Sequence, residues 1–250
     1  MAKLNHISIV ISTRNSELYV NKCIDSVLSQ LYPDFEVIFI DACSTDKTYF
    51  MAKEYEKKYN NIRVIQNDIR KFQGDNLLSG VKLSPNNSIV ISMDGDDWFK
   101  DELVLHRINF EYLKTDCWMT YGSYEEYPFA DVSHVYHEYP FEVRKEKLFR
   151  FHRWMGTHLR TFRKELFLKI NVEDLKDPST GDFFSYAPDL SFQFPMLEMC
   201  GTDKSRFISS ILYVYNRENE NSESVKGQKE IDRIEKIIRA KTPYKTINEL

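Results

Sequence analysis

The chain has 250 residues, 42% of them hydrophobic and 29% charged, with a formal net charge of −4 and a pI near 5.9. That balance suits a globular protein with enough chain to bury a core. It lacks the basic excess by which nucleic-acid binders neutralise phosphates, so nucleic acid is not an expected partner.

The β-branched run Ile7–Ile11 predicts a buried strand. Val20, Ile24, Val27, Leu28 and Leu31 recur at helical spacing up to Tyr32-Pro33. Glu36–Asp41 reads as a second strand, and Asp46–Tyr59 as a helix opened by the capping cluster Ser44-Thr45-Asp46. A short strand over Ile62–Gln66, a helix over Asp75–Leu83, a strand over Ser88–Met93 and a helix over Leu103–Leu113 follow. Strands alternating with helices predict an α/β fold, a mostly parallel sheet covered by helices on both faces. Beyond about residue 115 the pattern becomes mixed and aromatic-rich, with strands expected at Trp118–Ser123, His158–Phe162 and Ile211–Tyr215. A helical apolar stretch follows Asp189, and Ile231–Arg239 is an amphipathic helix. The expected organisation is one domain over 1–250: a nucleotide-binding half (1–115), an acceptor-binding half (116–225), and a C-terminal helix and tail (226–250).

Ligands bind outside the carboxyl ends of strands in such sheets, and the polar clusters fall there. Ser12-Thr13-Arg14-Asn15 follows the first strand, Asp41 ends the second, and Asp94-Gly95-Asp96-Asp97-Trp98 follows the fourth. Three carboxylates at a strand end repel one another unless a cation or solvent relieves them. Carboxylate oxygens are preferred ligands of Mg²⁺ or Mn²⁺, commonly together with substrate phosphates, and Gly95 permits close backbone approach. A solvated acidic turn is the plainer reading of the same residues.

Taken in order, Ile7–Asn15, Ile24–Gln30, Phe35–Asp46 and Met93–Trp98 resemble the family 2 glycosyltransferases over about the first 115 residues. The resemblance implies a GT-A fold, a nucleoside-diphosphate-sugar donor with UDP favoured, Mn²⁺ or Mg²⁺, and inversion at the anomeric carbon. It places Thr13, Arg14, Asn15 and Asp41 against the nucleotide, Asp75 as a further nucleotide contact, Asp94 by the ribose and diphosphate, and Asp96, with Asp94, on the metal. Asp97 and Trp98 fall on the site's acceptor or diphosphate side, Asp97 without a firm role. Two departures stand out. Ala42-Cys43 replaces a frequent Asp-Gly, which bears on base selectivity, and Lys100-Asp101 stands where a helix-opening Pro is common.

An inverting transfer needs a base for the acceptor hydroxyl. The resemblance assigns it to Asp189, at the start of an apolar helix; an N-cap is the structural alternative. Trp154–Phe162 resembles the acceptor-side strand, on the acceptor or diphosphate side of the site: His158 would reach the diphosphate or the acceptor, although a lone His is commonly structural, and Arg160 would pair with an acid or a phosphate. Asn216 and Arg217 follow the last strand, and Glu218-Asn219 stands where the family often has a His. The implied acceptor is a hydroxyl of a glycan, a lipid-linked sugar or a protein, and nothing opposes a homodimer. A protein that binds nucleotide-sugars without turning them over is the alternative motivated by Ala42-Cys43. A nucleotidyltransferase would need a Gly-rich phosphate loop, which Ser12–Asn15 is not.

Cys23, Cys43, Cys117 and Cys200 form neither a C-x-x-C pair nor a disulfide framework, which points to a reducing compartment. Met1–His6 lacks a signal peptide's apolar core, and no apolar run approaches the length of a membrane span. The expected location is therefore the cytoplasm, soluble or peripheral to a membrane.

Overall fold

The computed structural model describes residues 4–130, 136–219 and 227–250; the boundary expected at residue 225 lies outside them. The first half alternates as read: β1 (Ile7–Thr13), α1 (Val20–Leu28), β2 (Phe35–Asp41), α2 (Thr48–Lys58), β3 (Ile62–Gln66), α3 (Gln73–Leu83), β4 (Ile89–Asp94), a short β5 (Trp98–Phe99) and α4 (Val104–Thr115). The second half adds β6 (Met119–Gly122), β7 (Tyr124–Tyr127), α5 (Phe141–Lys145), β8 (Thr157–Arg163), α6 (Lys164–Leu168), α7 (Pro188–Cys200), β9 (Ser205–Phe207), β10 (Tyr213–Asn216) and α8 (Gln228–Ala240).

Seven strands form one sheet in the order β3-β2-β1-β4-β8-β6-β9, parallel except for β8, which runs antiparallel to both β4 and β6. Its central strands are apolar at successive positions because both faces are covered. Ile7, Ile9 and Ile11 of β1 pack with Val20, Ile24 and Val27 of α1 and with Ile108 of α4 on one face. Val10, Ile38 and Val90 pack with α3, α7 and α8 on the other. A second sheet of three strands, β5-β10-β7, pairs β10 with the short strands that follow β4 and β6 in the chain.

Helix α7 is buried along nearly its whole length, so it carries no amphipathic stripe. Its polar Glu198 forms a two-point pair with Arg150, with Nε to Oε1 at 2.6 Å and Nη2 to Oε2 at 3.0 Å. Arg150 Nη1 also donates to the Ile238 carbonyl near the end of α8 at 2.6 Å, and the Tyr244 N–H donates to Glu198 at 2.8 Å. Buried charge is tolerable when paired and hydrogen-bonded in this way; here it fastens the C-terminal segment to α7. Among the described residues, no helix is long and apolar enough to cross a membrane.

Candidate active site

The site follows from topology. Parallel β1, β2 and β4 deliver Thr13, Asp41 and Asp94 to one edge of the sheet. Antiparallel β8 enters at that edge: Ser92 pairs with Arg160, so Thr157 and His158 reach the end of β4. A cleft of about 670 Å³ opens there. Thr13, Arg14, Asn15, Asp94, Asp96, Asp97, His158, Arg160 and Asp189 all line it.

The nucleotide-side loops brace each other. The Asn15 N–H donates to Ser44 Oγ at 2.9 Å, while Asn15 Oδ1 accepts the Thr45 N–H at 2.8 Å. Asn15 has φ +55°, a left-handed conformation that Asn tolerates better than most residues. Asp41 is fully buried behind these loops. Its Oδ2 accepts the Ser44 N–H at 3.0 Å and Gln66 Nε2 at 3.4 Å, and its buried Oδ1 has no partner among the described residues. Asp41 therefore shapes the loop, and Ala42 is the residue that lines the cleft.

Asp75 and Trp98 also lie off the cleft wall. Asp75 is in the first turn of α3, 3.4 Å from Lys71 Nζ. The preceding Arg70, Lys71, Phe72 and Gln73 line the cleft instead, and Gln73 Nε2 donates to Asp94 Oδ1. Trp98 packs edge-on to Tyr127, with the Lys22 ammonium 3.4 Å from its ring centroid, a cation–π contact.

The acidic turn is tightly built. A Cβ on Gly95 would come within 2.3 Å of Thr13 Cβ, so no larger residue fits without displacing the end of β1. Gly95→Ala is expected to lower stability by about 1–3 kcal/mol, the usual cost of overpacking, read as a lower thermal midpoint. Asp97, 1% exposed, accepts Tyr213 O–H at Oδ2 and the Asn216 N–H at Oδ1, both at 2.8 Å. It ties β10 to the turn. Tyr213 Oη in turn accepts the Asp94 N–H at 3.2 Å, and Asn219 Nδ2 donates to Asp96 Oδ2 at 2.7 Å. Gln73 and Tyr213 were not singled out from sequence, where a buried Tyr's need for a hydrogen-bond partner was the available signal; Asn219 was marked only by standing where the family often has a His.

Burial pushes the Asp94 carboxyl up to about 7; Arg160 pulls against this, while Asp96 and Asp189 add to it. Burial also raises Asp96, with Asn219 opposing, and holds Asp97 well above the usual carboxylate range, helped by Asp96 and Asp94. Desolvated acids this close favour protonation unless a cation joins them. Burial, then Arg160 and Arg217, depress His158 well below its usual range, leaving a neutral imidazole, the form that binds metals. Its ring stacks on Tyr213 at 4.4 Å, and its buried Nδ1 has no partner among the described residues. Ligand atoms of Asp94, Asp97 and His158 lie within 4.8 Å of one another. This donor set, with Asp96 beside it, fits a divalent cation in charge and type.

Asp189 stands in the first turn of α7, whose N-cap position is Ala187, and no side-chain cap is made there. Its Oδ2 instead accepts Arg160 Nη2 at 2.9 Å. Arg217, also on the cleft, pairs with Glu126 through Nε at 3.0 Å.

The family model described as Glycosyl transferase family 2 matches residues 8–170. The poly(ribitol-phosphate) beta-glucosyltransferase of Bacillus spizizenii is 35% identical over 107 residues, covering 42% of this chain and 17% of that protein. A dolichyl N-acetyl-alpha-D-glucosaminyl phosphate 3-beta-D-2,3-diacetamido-2,3-dideoxy-beta-D-glucuronosyltransferase of Methanococcus voltae is 43% identical over 72 residues, covering 27% of this chain and 22% of that one. The matched segments thus span about a fifth of these relatives' length. Among solved structures, Staphylococcus aureus TarS 1–349 in complex with UDP-GlcNAc aligns with a TM-score of 0.67 at 17% identity, over 93% of this chain and 65% of that one. Mannosyltransferase PcManGT from Pyrobaculum calidifontis, in complex with GDP-Man and Mn²⁺, aligns with a TM-score of 0.66 at 14% identity, over 96% and 66%. The likeness to both is one of fold.

Proposed function

We propose that this chain, which belongs to glycosyl transferase family 2, is an inverting glycosyltransferase that moves a sugar from a nucleoside-diphosphate donor to a hydroxyl acceptor. One observation carries the reading. The acidic turn Asp94–Asp97 and the carboxylate of Asp189 share a single cleft at the carboxyl edge of a GT-A sheet. The first is suited to a sugar diphosphate and its counterion, the second to proton removal.

The nucleoside lies over Thr13–Ser16 and Ala42, whose loop Asp41 holds from behind. Arg14, Arg70 and Lys71 bring positive charge to the lining of the cleft. Asp94 and Asp96 would hold Mn²⁺ or Mg²⁺, with Asp97 and His158 near enough to complete the donor set. A cation so placed supplies charge neutralisation to the leaving diphosphate. Asp189 takes the proton of the acceptor hydroxyl. The acceptor oxygen then bonds to the anomeric carbon from the face opposite the diphosphate, which departs with the electron pair of the broken C–O bond, and configuration inverts. The acceptor is a glycan, lipid-linked or protein hydroxyl, and UDP-sugars are the first donors to test.

A thermal-shift panel of UDP- and GDP-sugars, with and without Mn²⁺, tests the reading. The cognate donor at about 100 times its Kd stabilises the native state by about 2.7 kcal/mol, and the shift should require the metal. No shift with any nucleotide-sugar contradicts it.

A further inference from the structure

The contact between Arg160 and Asp189 has an uncommon form. Arginine–carboxylate pairs are frequently two-pronged, with both oxygens engaged; the Arg150–Glu198 pair of this chain is an example. Arg160 instead reaches Asp189 through Nη2 alone, at 2.9 Å to Oδ2. Asp189 Oδ1 accepts no hydrogen bond among the described residues, and the residue lines the cleft. Arg160 Nε is buried and donates to nothing among the described residues.

As a stability device this arrangement is poor. An unsatisfied buried N–H costs about 1–3 kcal/mol, and desolvating an ion pair offsets much of its attraction. As a catalytic arrangement it is apt. A general base needs one oxygen free for the incoming hydroxyl and a fixed direction for it. Both ends of the tether sit in regular secondary structure. Arg160 is paired in the sheet opposite Ser92, and Asp189 follows Pro188 at the first position of α7.

We propose that Arg160 is the positioning residue of Asp189: it pins one carboxylate oxygen so that the other faces the acceptor hydroxyl. The proposal rests on Asp189 being the base. It requires no contact between Arg160 and the donor.

The test uses the donor picked out by the thermal-shift panel, with Mn²⁺ and water as acceptor, and compares wild type, R160Q, R160K, D189N and D189N/R160Q. R160Q is expected to lower kcat about 10²-fold, within the range that general-base catalysis supplies, while the calorimetric Kd for UDP changes less than about 3-fold. R160K, which keeps charge but not the planar fork, should fall between. In the D189N background R160Q should cost no more than about 2-fold, because a residue acting through another is non-additive with it. The proposal is overturned by wild-type kcat in R160Q, by a loss confined to KM and Kd, or by an undiminished effect of R160Q on D189N. If R160Q gives no cooperative melt, R160K decides alone, and unchanged kcat there overturns the proposal. Full activity of D189N removes the base assignment instead, and absence of wild-type turnover removes the glycosyltransferase reading; either takes this proposal with it.

Discussion

Asp189→Asn is expected to lower kcat for donor turnover by about 10²–10⁴-fold, the usual contribution of a positioned general base, while UDP binding survives. The substitution keeps shape and an oxygen for Arg160 Nη2 but removes the charge and the basic lone pairs. Asp189 makes no helix-capping hydrogen bond, so α7 does not depend on it for its first turn. Arg160, 7% exposed, loses its counter-charge, which adds a modest fall in thermal midpoint through the cost of a half-paired buried cation. Steady-state kinetics separates the two effects, because a stability loss alone leaves kcat per folded molecule intact. An unchanged kcat would remove Asp189 from the chemistry and return it to a structural partner of Arg160.

Asp94→Asn is the second large effect. Asp94 belongs both to the Asp94–Asp96 pair expected from sequence and to the Asp94, Asp97 and His158 atoms that converge. Its loss therefore damages the cation site whichever neighbours complete it. The amide preserves volume and can still accept from Gln73, so the turn around Gly95 should persist. Removing one carboxylate should weaken Mn²⁺ binding about 10²-fold and lower donor turnover at least as much, since anionic oxygens are the principal ligands for such ions. Calorimetric titration of Mn²⁺ in the presence of UDP reads the first, and turnover at saturating donor reads the second. Wild-type Mn²⁺ affinity in the variant would place the cation elsewhere or show that none is used.

Much of this site could be read from sequence because its positions follow from local pattern. Apolar runs ending in Thr13, Asp41 and Asp94 mark strand ends, and parallel pairing brings those ends to one edge. Of the second sheet only β10 was legible, as the strand expected at Ile211–Tyr215. Its strand β5 has two residues, and its pairing joins Phe99 to Tyr213 across more than a hundred positions, so no local periodicity announces it. Expected helix bounds slipped by two or three residues where caps were subtle. Helix α2 starts at Thr48, not Asp46, because Asp46 Oδ1 accepts the Thr48 N–H at 2.9 Å from outside the helix. Side-chain direction was the hardest feature to infer. Asp41 turned toward Ser44, Asp75 toward Lys71 and Trp98 toward Lys22, while Arg160 found Asp189 through the approach of α7 to β8.

The central claim is that the cleft turns over a nucleotide-sugar with help from a divalent cation. Its most direct test is release of nucleoside diphosphate from the stabilising donor by the wild-type protein, with Mn²⁺ and then with EDTA. Steady release with Mn²⁺, loss of that release in EDTA, and recovery when the metal is restored are the expected results. Tight donor binding with no release under any metal would contradict it and would mark the chain as a nucleotide-sugar-binding protein without turnover.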